Sequence, residues 1–196
     1  MSTVKLTIVF YSSTGTNLEM ARAAQSAAEE AGAEVRLRRC AETAPDEAVN
    51  SRDAWKSTLE RMQEIDIAAP EDLEWADALL FSAPTRFAAV PSQMQAFIDT
   101  LGPLWNKGAL AGKAVSAMTS TGTRHGGQET TLIGFYTTFM HWGAILVPPG
   151  YTGEIMFEHG NPYGASAMAN DVDDTLRSVV EHQTRRLLDV AGKLSA

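Results

Sequence analysis

A run of apolar, β-branched and aromatic residues, Val4 to Tyr11, ends in a hydroxyl-rich turn and passes directly into a long helical pattern. The same alternation of short buried strand and amphipathic helix recurs along the chain, and it limits the available folds severely. A strand that must cross over through a helix returns parallel to the one before it, and such crossovers are right-handed. The alternation therefore predicts an α/β fold, a doubly wound parallel sheet with helices on both faces.

The pattern supplies five strands. Val4 to Tyr11 is rich in Val, Ile, Phe and Tyr, and Ala33 to Arg39 alternates Val35 and Leu37 with arginines as an edge strand would. Ala76 to Ser82, Lys113 to Thr119 and the short Ala144 to Val147 complete the set. Helices are expected from the turn to Gly32, with Ala21, Ala24, Ala28 and Ala31 on one face, and over Pro91 to Leu101, Gly127 to Trp142 and Asp171 to Leu194. The last shows Val172, Leu176, Val179, Leu187 and Val190 along one side. Ala41 to Ala69 reads as an irregular connection with one short helix near Ala54 to Met62, and Pro148 to Asn170 as a long loop. Five strands with a closing helix match the order 2-1-3-4-5 in one domain over residues 1–196. In such sheets ligands bind at the carboxyl ends of the strands, beside the point where strand order reverses.

The first turn lies at that edge. In Tyr11-Ser12-Ser13-Thr14-Gly15-Thr16-Asn17 a hydroxyl is carried by Tyr11, Ser12, Ser13, Thr14 and Thr16, and Gly15 permits a tight bend. A helix begins where the turn ends, so unpaired N–H groups and the positive end of the helix dipole face whatever occupies it. That suits a phosphate. The turn lacks the Gly-Lys-Ser/Thr of nucleoside-triphosphate loops and the Gly-x-Gly-x-x-Gly of dinucleotide sites. With no lysine or arginine in it, neutral donors alone are expected to hold the phosphate.

Composition excludes several classes. A formal charge of −8 without a basic stripe is poorly suited to nucleic acid, whose phosphates must be neutralised. No stretch approaches the roughly 20 apolar residues of a membrane span. The single cysteine, Cys40, allows no internal disulfide and suits a reducing cytoplasm; it reads as a small, half-buried strand-end residue. No His/Cys/Asp/Glu spacing points to a metal, and no Gly-x-Ser-x-Gly to a serine hydrolase.

Two further loops at the same edge carry ligand chemistry. After the third strand, Pro84-Thr85-Arg86-Phe87 offers a hydroxyl, a guanidinium and an aromatic ring; after the fourth, Ser120-Thr121-Gly122-Thr123 runs through Arg124-His125 to Gly126-Gly127-Gln128-Glu129 at a helix start. These pieces, with Phe10-Tyr11-Ser12, Leu104-Trp105, Thr137-Thr138 and His141, Pro148 to Tyr151, and Pro162-Tyr163-Gly164-Ala165, resemble the WrbA family over nearly the full chain. These are flavodoxin-like NAD(P)H:quinone oxidoreductases, formerly called tryptophan-repressor-binding proteins.

The resemblance implies noncovalent FMN, NADH or NADPH as electron donor, a small quinone as acceptor, and a homotetramer in which neighbours complete each site. By position, Ser12, Ser13, Thr14, Gly15, Thr16 and Asn17 would hold the FMN phosphate. Pro84, Thr85, Arg86 and Phe87 would meet the flavin ring, together with Ser120, Thr121, Gly122, Thr123, Gly126, Gly127, Gln128 and His141. Trp105, in the loop-like insert Gly102 to Gly108, would face the substrate side, and the Trp142 and Tyr163 segments are candidates for a neighbour's pocket. Thr14 departs from the family's usual aromatic, and Arg124-His125 stands where the family tends to have glycine. Arg86 is placed to stabilise negative charge on a reduced flavin; His125 reads as a rim group, and His159 and His182 as loop and surface residues.

The expected chemistry is two-electron, ping-pong quinone reduction with hydride passing through flavin N5, and no side chain is required as a dedicated acid or base. A flavodoxin-type one-electron carrier is the alternative, and a regulatory binding protein ranks last.

Overall fold

The computed structural model describes residues 3–195. Nine helices and six strands alternate among these residues as Lys5–Phe10 (β1), Thr16–Glu30 (α1), Glu34–Arg39 (β2), Asp46–Asn50 (α2), Asp53–Arg61 (α3), Pro70–Trp75 (α4), Ala78–Pro84 (β3), Ser92–Asp99 (α5), Gly102–Asn106 (α6), Ala114–Thr121 (β4), Gln128–His141 (α7), Ile145–Leu146 (β5), Glu154–His159 (α8), Ser166–Met168 (β6) and Asp174–Leu194 (α9). The sheet is parallel, as the alternation predicts, and its main path runs β2-β1-β3-β4-β5, the order of the flavodoxin-like fold that the resemblance implies.

Side-chain alternation along β1 divides the interior into two layers. Leu6, Ile8 and Phe10 join Ala21, Ala24 and Ala28 of α1 and Val179, Leu187 and Ala191 of α9. Val9 and Tyr11 face the opposite layer, with Met94 of α5 and Leu132, Phe135 and Phe139 of α7. Alanines on α1 let it lie close to the sheet. The helix ends at Glu30, so Ala31 is exposed and Ala27 is the buried residue in that turn instead. In the second layer Phe81 meets Phe139 at 5.0 Å between ring centres, and Trp142 stacks on both at 5.9 and 5.2 Å. Each such ring contributes about 2–3 kcal/mol of burial. Trp142 is thus a residue of this core. Cys40 is fully buried, not half-buried, and burial pushes its thiol well above the usual range, leaving it unreactive.

Three segments hold more structure than their patterns show. The stretch 41–69 contains α2 as well as α3, and the Trp105 insert opens as the short helix α6. The long loop contains α8 and a sixth strand, β6, paired in parallel with the carboxyl end of β4: Thr119 with Ser166, Ser120 with Ala167 and Thr121 with Met168. Because β5 covers only Ala114 and Val115 of β4, the rest of that edge is left for β6. Three residues are too few to display a strand's alternation. No helix among the described residues is long and apolar enough to cross a membrane.

Candidate functional site

The carboxyl ends of β1, β3 and β4 bring three loops together. Gly15 caps α1 with φ of +95°, a left-handed conformation that suits glycine, and its N–H donates to Ser12 Oγ at 3.1 Å. The turn is closed on itself by this bond, while the N–H groups of the first turn of α1 lack helical partners and open onto its mouth. Thr16 Oγ1 accepts from Asn170 N at 2.9 Å, fastening the chain beyond β6 to the same turn. Thr14 is exposed at the tip.

Asn17 has a different task from the one its position predicts. Its Nδ2 donates to Ser82 Oγ at 3.0 Å, and its Oδ1 accepts from Ser120 Oγ at 2.5 Å, all three residues being buried. The amide therefore ties α1 to β3 and β4, and the side chains of Asn17 and Ser120 are both engaged inward. Only their backbones remain on the ligand side.

The second loop turns sharply. Arg86 and Ala89 exchange backbone hydrogen bonds of 2.8 and 3.0 Å across it, and Phe87 and Ala88 between them take φ of +53° and +64°. This strained backbone aims Phe87 outward, where its side chain is 104% exposed. A fully exposed phenyl ring beside two polar loops is an apolar surface suited to a flat partner. Thr85 N donates to Ser120 O at 2.8 Å, and Thr131 Oγ1 lies 2.8 Å from both Thr85 Oγ1 and Gly127 O, so the second and third loops form one unit. Gly127, at φ of +89°, permits the close approach: a Cβ there would collide with Ala88. Gln128 Nε2 completes the unit by donating to Ala167 O of β6 at 3.1 Å. Thr131 and β6 were not among the expected site groups, and no local signal marks either.

Two guanidinium groups reach the hydroxyl turn from elsewhere. Arg86 Nη2 donates to Ser13 Oγ at 2.8 Å, so this side chain points back along the sheet edge toward the first loop. Arg61, from the end of α3, pairs with Glu19 of α1 and places Nη1 3.3 Å from where a Cβ on Gly15 would lie. The turn's own donors are neutral, but two guanidinium groups border it, one of them paired with Glu19.

Behind it, Glu42 gathers five donors: Tyr11 Oη at 3.0 Å, Trp55 Nε1 at 2.9 Å, Gln93 Nε2 at 2.8 Å, and the N–H groups of Thr43 and Ala44 at 3.0 and 2.9 Å. Burial alone would raise this carboxyl. The hydrogen bonds from Ala44, Gln93, Trp55 and Tyr11 outweigh it and hold the group below its ordinary value. Burial, then the Glu42 charge, pushes the Tyr11 hydroxyl far upward, so it remains a neutral donor.

His141 and Trp105 lie elsewhere. A helix of α7's 14 residues is about 20 Å long, and it runs back from the third loop to the amino edge of the sheet. His141 at its far end cannot join Gln128 around one ligand within a single chain. Instead Trp105 Nε1 donates to His141 O at 2.9 Å, beside a small cavity of about 220 Å³ walled by Ile98, Leu101 and Trp142. A cleft of about 550 Å³ lies to one side of the three loops, between Arg124, His125 and Gln128, the end of α8 and the start of α9. His159 on its wall is half-buried rather than a surface residue. Its Nε2 accepts from Ser166 N at 3.2 Å, and burial lowers its pKa against the opposing effects of the Gly164 backbone and Asp173.

The arrangement fits FMN on three counts: an N–H-lined turn at the start of a long helix, a cradle that admits no side chain at Gly127, and an exposed ring at Phe87. Comparison with known proteins agrees. A family described as NADPH-dependent FMN reductase matches residues 6–155. A protein named NAD(P)H dehydrogenase (quinone) from Deinococcus radiodurans is 55% identical over 194 residues, covering 97% of each chain. The chain belongs to the WrbA family of NAD(P)H dehydrogenases (quinone). Another relative of that name, from Azorhizobium caulinodans, is 41% identical and covers 97% of this WrbA-family chain and 98% of its own. Among solved structures, a flavodoxin, WrbA-like protein from Agrobacterium tumefaciens superposes with a TM-score of 0.68 at 19% identity, covering 97% of this chain and 99% of its own. An apo NADH:FMN oxidoreductase superposes with a TM-score of 0.62 at 18% identity, covering 95% and 89%. Both are like this WrbA-family chain in fold.

Proposed function

We propose that the protein is an FMN-dependent NAD(P)H:quinone oxidoreductase working by two-electron, ping-pong transfer. The observation that carries this reading is the convergence of the Ser12–Asn17, Thr85–Phe87 and Thr121–Gln128 loops at one sheet edge, in a chain 55% identical to a quinone dehydrogenase. Bound FMN would supply hydride chemistry, accepting from the nicotinamide and giving to the quinone through N5. The chain's own residues bind and orient. Backbone N–H groups of Ser13 to Asn17 and the hydroxyls of Ser12, Ser13, Thr14 and Thr16 would hold the phosphate. Pro84, Thr85 and Phe87 would flank the ring, and Thr121, Gly122, Thr123, Gly126, Gly127 and Gln128 would present backbone to it. Arg86, whose guanidinium is held on Ser13 of the hydroxyl turn, would set its charge against the phosphate while its backbone stays beside the ring.

A homotetramer would give Trp105 and His141 a role in the site. At the opposite edge of the sheet, they would serve the ring of a neighbouring copy. The fully exposed Phe87 fits a surface that is covered on assembly. A cytoplasmic location accords with the buried lone thiol of Cys40. Purified protein tests the cofactor directly. Flavin absorbance bands, or their appearance with a tight stoichiometric titration by FMN, are expected; a protein that takes up no FMN would remove the proposal.

A further inference from the structure

In an acidic protein of net charge −8, a phosphate monoester meets an unfavourable overall field. Near neutral pH it carries close to two negative charges. Arg86 meets the hydroxyl turn from the β3 side. The other flank of the turn is occupied by α3, in the stretch between β2 and β3 that carries only patchy helical signal.

Helix α3 is held over the turn at both ends. Near its start, the Trp55 indole donates to Glu42 at 2.9 Å, and Glu42 also accepts from Tyr11, the residue that opens the turn. Further along, Thr58 is buried, and its hydroxyl lies 3.7 Å from where a Cβ of Gly15 would project. Arg61 follows three residues later, on the same helix face. One terminal nitrogen of its guanidinium pairs with Glu19, a helical turn beyond Gly15, while the other lies against Gly15 itself. A guanidinium has five N–H donors in a rigid fork, so the Glu19 contact leaves others for a second oxyanion.

We infer that Arg61, carried by α3, is a phosphate-binding residue of the flavin site, acting opposite Arg86 so that the cradle sets two guanidinium charges against the phosphate dianion. The inference rests on the proposed FMN site and adds to it a residue from outside the three loops. It also gives the Glu42 knot a purpose: Glu42 is a positioning residue, fixing both Tyr11 and the helix that delivers Arg61.

A competing role for Arg61 is to neutralise Glu19, whose carboxylate would otherwise repel the phosphate. The two roles separate in a double-mutant cycle read by binding. The flavin-stripped full chain, Arg61→Gln, Glu19→Gln and the double variant are each titrated with FMN and with riboflavin, which has the same ring and no phosphate. Arg61→Gln is expected to weaken FMN about tenfold, a modest loss because the side chain is half-exposed, and to do so again in the Glu19→Gln background. Riboflavin affinity should not move, and it doubles as the check that the ring site is intact. Equal loss for riboflavin, an unchanged FMN affinity, or a loss that disappears once Glu19 is neutral would each overturn the inference while leaving the FMN site standing. Failure of the wild-type chain to bind FMN at all would overturn both.

Discussion

Ser120 Oγ donates to Asn17 Oδ1 at 2.5 Å, joining the first residues of α1 to the end of β4 across the sheet. With the 3.0 Å bond from Asn17 Nδ2 to Ser82, one buried amide of α1 spans β3 and β4, beside the β1/β3 point where strand order reverses. Substitution of Asn17 by alanine leaves two buried hydroxyls without this partner. It should cost about 2–4 kcal/mol in urea denaturation and weaken FMN by displacing the turn. Loss of flavin affinity at unchanged stability would instead make Asn17 a direct ligand.

Gly127 is required by the meeting of the second and third loops. Gly127→Ala places a Cβ into Ala88 and forces a non-glycine residue to φ of +89°. Destabilisation of at least about 2 kcal/mol is expected, together with loss of the flavin spectrum. A stable, flavin-bound variant would show that the loops can separate without harm.

Glu42 governs the acid limb of stability. Its folded-state pKa lies below the unfolded one, so its contribution is present above the ordinary carboxylate range and is lost as pH falls through the depressed value. Glu42→Gln should lose about 1–2 kcal/mol at neutral pH, allowing for partial exposure, and its stability should fall less steeply than wild type on acidification. Parallel pH profiles of thermal unfolding would contradict this.

The placement of Trp105 predicts subunit complementation. In the proposed assembly Trp105→Ala would remove a group acting on a neighbour's ring, while Arg86→Ala would damage the chain's own site. Mixed assemblies of the two variants should be more active than the sum of the separate preparations, since an intact flavin site can then meet an intact Trp105. Strict additivity after subunit exchange would place Trp105 outside the site.

The strands and the three-loop edge were legible because β1 and β3 carry apolar runs, β2 alternates Val35 and Leu37 with arginines, and the loops carry their own hydroxyls and glycines. What stayed hidden was contact across distance. Asn17 looks like a phosphate ligand in a local reading, and only the register of β1, β3 and β4 reveals Ser82 and Ser120 as its partners. Arg61 approaches Glu19 across 42 residues of chain that show little pattern. β6 exists because β4 has an unpaired edge, which its own three residues do not announce. The far position of His141 is legible in the sequence, because a 14-residue helix starting at the carboxyl edge ends at the other one.

As proposed, this chain uses bound FMN to pass electron pairs from a nicotinamide to a quinone. Anaerobic stopped-flow of the FMN-loaded protein tests it most directly, first against NADH and NADPH and then against benzoquinone. Rapid bleaching of the flavin absorbance by at least one nicotinamide, followed by full recovery on adding quinone, is the predicted result. A flavin that neither dinucleotide bleaches would contradict the account.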